Sequence, residues 1–253
     1  MFRPRIIPVL LLKDHALYKS TNFKKYSYIG DPINAVRLFN DLKADELVFL
    51  DIMASREKRT IEIELVKKIG EEANMPFAVG GGINSLEHIK KIINAGAEKV
   101  IINSAAAFDP NFIKKAVESF GSSTIVVCID VKKKLFKGVK TWILNGKKST
   151  NYNPVEFAKL MAKKGAGEII IQSIERDGTM MGYDYELISS ISKAVDIPVV
   201  ALGGCKSIYE MKKAHLESYA SALAAGSLFV YQGTNKGVLI NYPEKEDISN
   251  YFP

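Results

Sequence analysis

The chain has 253 residues, of which 47% are hydrophobic and 25% charged, with two cysteines, three histidines and a formal charge of +7. This composition fits a soluble globular protein and excludes intrinsic disorder, a collagen-like repeat and a disulfide scaffold. Cys128 and Cys205 are too few for a disulfide framework and lack metal-ligand spacing, so neither a metal nor a cofactor is expected and a reducing, cytoplasmic setting is the default. The positive balance comes from scattered lysines, which read as solvated helix faces rather than a nucleic-acid surface, although they also favour anionic substrates.

In chain order, the apolar run Ile6–Leu12 comes first; Pro8 interrupts it and Lys13 and Asp14 follow at once, so it predicts a strand rather than a membrane span. Asp31-Pro32 then starts a helix, with a capping side chain ahead of proline at the first helical position. The runs Glu46–Asp51 and Phe77–Val79 predict two further strands, and Asn84 with Glu87 reads as a capping pair for a helix whose Leu86, Ile89, Ile92 and Ile93 share one face. A strand over Val100–Ile102, a helix opening at Asp109-Pro110 and a strand over Thr124–Ile129 continue the alternation. Residues 131–152 break it with a Lys-rich insertion containing Trp142 and Gly146, and long loops in such a place are commonly functional. Asn153-Pro154 opens the next helix, and strands over Glu168–Ile171, Val199–Leu202 and Ala220–Ala224 complete the series. The tail, residues 230–253, has no helical period, so the eighth helix is expected to be missing or displaced. Eight strand-then-helix units without a linker predict an α/β protein, a (β/α)8 barrel over residues 1–253, with a doubly wound open sheet as runner-up.

The two halves echo each other. Pro76-Phe-Ala-Val-Gly-Gly-Gly-Ile returns 122 positions later as Pro198-Val-Val-Ala-Leu-Gly-Gly-Cys, and Glu46-Leu-Val-Phe-Leu-Asp returns at the same offset as Glu168-Ile-Ile-Ile-Gln-Ser. A period of half the chain implies two fused half-barrels with two related sites at one mouth. The candidate anion-binding loops are Gly81-Gly82 and Asn103-Ser104 in the first half, and Asp177-Gly178, Gly203-Gly204 and Gly226-Ser227 in the second. Glycine lets backbone N–H groups approach a phosphate, and Ser or Asn adds donors. Tight turns alone would explain a single pair; the duplication points to a bisphosphate ligand, or to a scaffold inherited from one. No dinucleotide fingerprint or P-loop is present.

Several segments together resemble the cyclase subunit family of imidazole glycerol phosphate synthase over about residues 1–230: Arg5-Ile-Ile, Lys19-Ser-Thr-Asn-Phe23, Gly30-Asp-Pro, Asp45-Glu-Leu-Val-Phe-Leu-Asp-Ile, Val79-Gly-Gly-Gly-Ile, Ala97-Glu-Lys-Val, Gly165-Ala-Gly-Glu and Arg176-Asp-Gly-Thr through Gly182-Tyr-Asp. The resemblance implies a barrel that takes ammonia from a glutaminase docked at its N-terminal face and adds it to a phosphorylated substrate. It also implies two catalytic aspartates. Asp130 matches the second, but Leu11 stands at the position of the first, and the flanking matches leave no gap to slide it. Losing a general acid or base costs about 10²–10⁴ in rate. The family's ammonia gate, a charged ring expected at the N-terminal ends of alternate strands, is complete here as Arg5, Glu46, Lys99 and Glu168. Glu98 matches an acidic position at the glutaminase interface, and Lys19 falls in the family's mobile first loop, where it would hold an anion.

An intact entrance with one catalytic acid lost implies a paralogue. The opening Arg3-Pro-Arg-Ile-Ile-Pro-Val-Leu-Leu and the ending Val238-Leu-Ile-Asn-Tyr-Pro resemble the branch found with surface-polysaccharide and sialic-acid-like sugar genes, in which the ammonia serves a separate amidotransferase that makes acetamidino groups. That third protein would dock at the C-terminal face. An active cyclase of histidine biosynthesis and a phosphoribosyl sugar isomerase are the alternatives, and Leu11 counts against both. His88 and His215 read as ordinary helical residues, His15 has no partner among its sequence neighbours, and both cysteines read as small buried residues.

Overall fold

The computed structural model describes residues 3–134, 138–233 and 237–252. Leu135, Phe136 and Lys137 of the insertion, and residues 234–236 and 253 of the tail, lie outside the described residues.

Eight parallel strands close into a barrel: Arg5–Lys13, Leu47–Asp51, Phe77–Gly80, Lys99–Ile102, Ile125–Lys134, Glu168–Ser173, Val199–Leu202 and Ala222–Ala225. The eighth strand pairs with the first, Arg5 opposite Ala222, and the sixth pairs with both the fifth and the seventh. Closure leaves no sheet edge among these strands, so the fold is the (β/α)8 barrel and not the doubly wound sheet. Val, Ile and Leu dominate because each strand is covered on both faces. One set of side chains packs under the helices, including Ile6, Leu10, Phe49, Val79, Ile102 and Ile171, and the alternate set fills the barrel interior, including Ile7, Val9, Val48, Ile101, Val126 and Val200.

Local chemistry places most helix starts where the sequence puts them. Asp31, Asp109 and Asn153 each accept a backbone N–H from the first turn beyond the following proline. The helix Leu86–Asn94 is a correction: Ser85, not Asn84, caps it, accepting from His88 N at 3.2 Å. Strand ends shift as well. Thr124 belongs to a 3-10 turn, Ala220 precedes the eighth strand, and the fifth strand runs on to Lys134.

Two antiparallel hairpins rise from the C-terminal end of the barrel. Ala16–Thr21 folds back on the first strand and pairs with Lys25–Gly30. Gly138–Ile143 folds back on the fifth strand, Trp142 opposite Asp130, and pairs in turn with Lys148–Ser149. The Lys-rich insertion is therefore in large part a sheet extension rather than an irregular loop. After the eighth strand come a short helix Ser227–Val230, a small hairpin of Tyr231–Gln232 with Gly237–Val238, and a helix Lys245–Tyr251. The eighth helix is thus displaced to the chain end, where Ile248 and Phe252 are buried in the outer core. No described helix is long and apolar enough to cross a membrane.

Candidate functional site

The strands deliver the predicted residues to the two poles of the barrel. At the N-terminal pole, Arg5, Glu46, Lys99 and Glu168 form one closed ring of ion pairs. The Arg5 guanidinium bonds both glutamates, and Lys99 Nζ lies 3.0 Å from Glu46 and 3.3 Å from Glu168. They come from strands one, four and six and from Glu46 just ahead of strand two, rather than from strictly alternate strands, because strands one and two are neighbours. Burial works against the Arg5 charge, but the two glutamates outweigh it and hold its pKa above the ordinary value. Both carboxylates are buried, so loss of either cation would leave an uncompensated charge. Glu98 is exposed beside this ring.

Between the ring and the mouth the barrel interior is apolar, formed by Ile7, Val9, Val48, Ala78, Ile101, Val126, Ile170 and Val200 among others. Such an interior opposes the entry of any ion by a desolvation penalty of several kcal/mol.

At the C-terminal pole the two half-sites are unequal. The first opens into a cavity of about 180 Å³ lined by Leu11, Asp51, Lys58, Gly81, Gly82, Asn103, Ser104, Asp130 and Gln172, among others. Gly82 has φ +65, and a Cβ there would sit 1.8 Å from the Arg59 carbonyl oxygen, so only glycine lets the two loops meet. The Gly81 carbonyl accepts from Ile61 N at 3.0 Å and Thr60 Oγ1 at 3.3 Å, fixing the turn. The second half-site gathers Lys19, Asp177, Gly178, Gly203, Gly204, Gly226 and Ser227 around only about 20 Å³, room for one water.

Lys19 causes the difference. It is 5% exposed, its Nζ lies 3.4 Å from the Val9 carbonyl, and the ammonium sits where a side chain on Gly226 would be. Burial lowers its pKa to about 8, partly offset by the pull of Asp177. Lys19 therefore belongs to the floor of the mouth, not to a solvent-facing lid. The hairpin carrying it is latched to the sixth loop: Asn22 N donates to the Asp177 carbonyl at 2.9 Å, and Ser20 Oγ to Asp177 Oδ2 at 2.5 Å. The Asp177 carboxyl and carbonyl thus serve the hairpin, and its N–H donates to the Ser173 carbonyl at 3.1 Å, so of this pair Gly178 is left to line the cavity. Burial raises its pKa, against Lys19 and these donors.

Asp130, 7% exposed, projects into the first cavity and receives Asn103 Nδ2 at 3.3 Å and Cys128 Sγ at 3.6 Å. Burial pushes its pKa up to about 7; the Cys128 hydrogen bond opposes this and the Asp177 charge adds to it. Leu11 lines both cavities and offers no proton. Asp14, exposed and turned toward Lys13 at 3.8 Å, does not replace it. Gln172 also lines both cavities, with Nε2 3.4 Å from Asp177 Oδ1; the sequence reading passed over it, and its register opposite Asp130 is the signal that would have found it. His15 does have a partner, Glu62 at 2.6 Å, brought by the fold from 47 positions away. His88 and His215 sit on helices, and both cysteines are buried. Among the described residues no group of three or more His, Cys, Asp or Glu is placed to hold a metal ion.

The family described as histidine biosynthesis protein matches residues 5–235. The chain is 42% identical over 231 residues to the imidazole glycerol phosphate synthase subunit HisF of Alkaliphilus metalliredigens, which covers 91% of this chain and 92% of that one. It is 43% identical over 244 residues, 96% and 97% of the two chains, to a Pseudomonas aeruginosa protein provisionally named imidazole glycerol phosphate synthase subunit hisF2. A Leptospira borgpetersenii protein, provisionally named as a HisF subunit of the same synthase, is 44% identical over 254 residues with both chains covered in full.

Proposed function

The chain belongs to the histidine biosynthesis protein family and, within it, to the HisF-type cyclase subunits of imidazole glycerol phosphate synthase, and from that premise we propose that it is a paralogue that conducts ammonia without closing the imidazole ring. The observation that carries this reading is the contrast between the poles: a complete charged ring at one end, and Leu11 sharing a cavity with Asp130 at the other. A ring so costly to desolvate would be replaceable by apolar residues if it served packing alone. In this reading Arg5, Glu46, Lys99 and Glu168 exclude ammonium and admit ammonia from a glutaminase docked at the N-terminal face, with Glu98 in the interface. The ammonia leaves at the mouth for an acceptor held by a separate amidotransferase, in the making of acetamidino groups on surface-polysaccharide or sialic-acid-like sugars. The two hairpins around the mouth, with exposed Tyr28 and Val139, suit such a third protein. The glycine loops retain a phosphorylated small molecule.

A second reading keeps the cyclase active. It rests on the buried Lys19 and Asp177, which line the same small cavity as Leu11 and could handle the missing proton. Nothing comparable favours a sugar isomerase. Binding to the glutaminase tests the first reading: Glu98→Lys is expected to weaken the complex at least about tenfold, one like-charge encounter being worth about 1.4 kcal/mol or more. Titration by surface plasmon resonance measures this, and a native chain that binds no glutaminase even at low salt would remove the proposal.

A further inference from the structure

We propose that Lys58 is the cation that meets the ligand's phosphate in the first half-site, whereas the cation of the second, Lys19, is buried and fills it. The inference rests on the reading of the glycine loops as phosphate sites, and it deepens that reading by assigning one cation to each half.

The loop after the second strand is built onto the glycine pair. Asp51 Oδ1 accepts from Met53 N and Ala54 N, both at 3.0 Å, and Arg59 N donates to the Ala54 carbonyl at 3.1 Å, closing a tight turn. The Arg59 carbonyl then packs into the space left by the missing Cβ of Gly82. Lys58, next in the chain to that contact, is in the left-handed region at φ +55, uncommon for a residue with a long side chain, and it lines the 180 Å³ cavity.

The other cations near this wall are engaged or turned elsewhere. The Arg59 guanidinium is held by Asp51 at 2.5 Å and by Glu57 at 2.7 Å. Arg56 does not line the cavity. Among the described residues no carboxylate comes within ion-pair distance of Lys58 Nζ, so its charge is available to a ligand. The half-barrel duplication supplies an independent comparison. Met180, 122 positions after Lys58, has the same φ of +55 and lines the second cavity. The backbone device is therefore duplicated while the charge is not. Where the position is methionine, an ammonium arrives from the first hairpin as Lys19; where it is Lys58, the first half-site has its own. An exposed lysine accepts an incoming dianion without prior movement of the chain, whereas the buried Lys19 already occupies its half-site. The first half-site is thus the one that captures the phosphate of a free ligand.

Titration of the full chain with inorganic phosphate at pH 7 and low ionic strength, followed by the amide NMR signals of Gly82 and Gly204, reads the two half-sites separately. Lys58→Met is expected to weaken binding at Gly82 about tenfold or more, as removal of a charge-assisted contact does, and to leave the response at Gly204, in the half-site that Lys19 fills, as it is in the native chain. Lys58→Arg should restore binding at Gly82, and the melting temperature of both variants should match the native chain. Unchanged affinity at Gly82 in Lys58→Met, or an equal fall at Gly204, would overturn the role of Lys58 alone. If phosphate shifts neither glycine in the native chain, the reading of the loops fails and this inference with it.

Discussion

Asp130 is the residue whose charge state most directly limits what the mouth can do. Burial pushes the pKa of its carboxyl up to about 7, well above that of an exposed aspartate. The linkage has a definite sign. Below about pH 4 the folded and unfolded chains both hold the proton and nothing is lost. As the pH rises toward 7 the unfolded chain releases it first, so stability falls until the folded carboxyl also ionises. Asp130→Asn removes this loss and is expected to stabilise the protein by about 2–4 kcal/mol at pH 8 relative to its effect at pH 4, measured by urea unfolding at both pH values. A pH-independent difference would show that the carboxyl ionises normally. The importance of this position, and the leucine at 11, are legible in the sequence because a residue type is either present or absent. The burial of Lys19 is not, since it depends on a hairpin folding back and on the sixth loop latching it through Asn22 and Ser20.

At the scale of elements, regular alternation carried the barrel, and the departures from it are the hairpin after the fifth strand and the tail. The eight strands follow from apolar runs that need cover on both faces, and the Asx-Pro helix starts follow from capping chemistry. The helix Lys245–Tyr251 was invisible to periodicity because it is short and meets the core chiefly through Ile248 and Phe252. What fixes it is a tertiary contact. The buried Tyr242 hydroxyl donates to the Ile6 carbonyl at 3.0 Å and accepts from Asp45 N at 3.2 Å, tying the tail to the bottom of the first strand. Tyr242→Phe strands two backbone groups and is expected to cost about 2 kcal/mol, seen as a lower urea midpoint at unchanged slope. A change within about 0.5 kcal/mol would mean that the tail is held by packing alone.

The whole molecule is an axis with a charged ring at one pole, an apolar interior, and a mouth where paired glycine loops surround Asp130. Duplication explains its symmetry, and the unequal half-sites show where the copies have parted: Lys58 against Met180, and Gly82's open cavity against a half-site filled by Lys19. The sequence repeat made the pairing of the loops legible, but not the inequality, because the filling side chain comes from a different loop. The decisive test bypasses the partner. The purified chain is given ammonium salt and the family's ribulosyl bisphosphate-type substrate, and imidazole glycerol phosphate is measured beside a relative that has aspartate at the position of Leu11. Formation slower by about 10²–10⁴ is expected from the loss of one acid–base group; a rate within about tenfold of the relative's would show that the ring closure survives, with Lys19 or Asp177 in the vacant role.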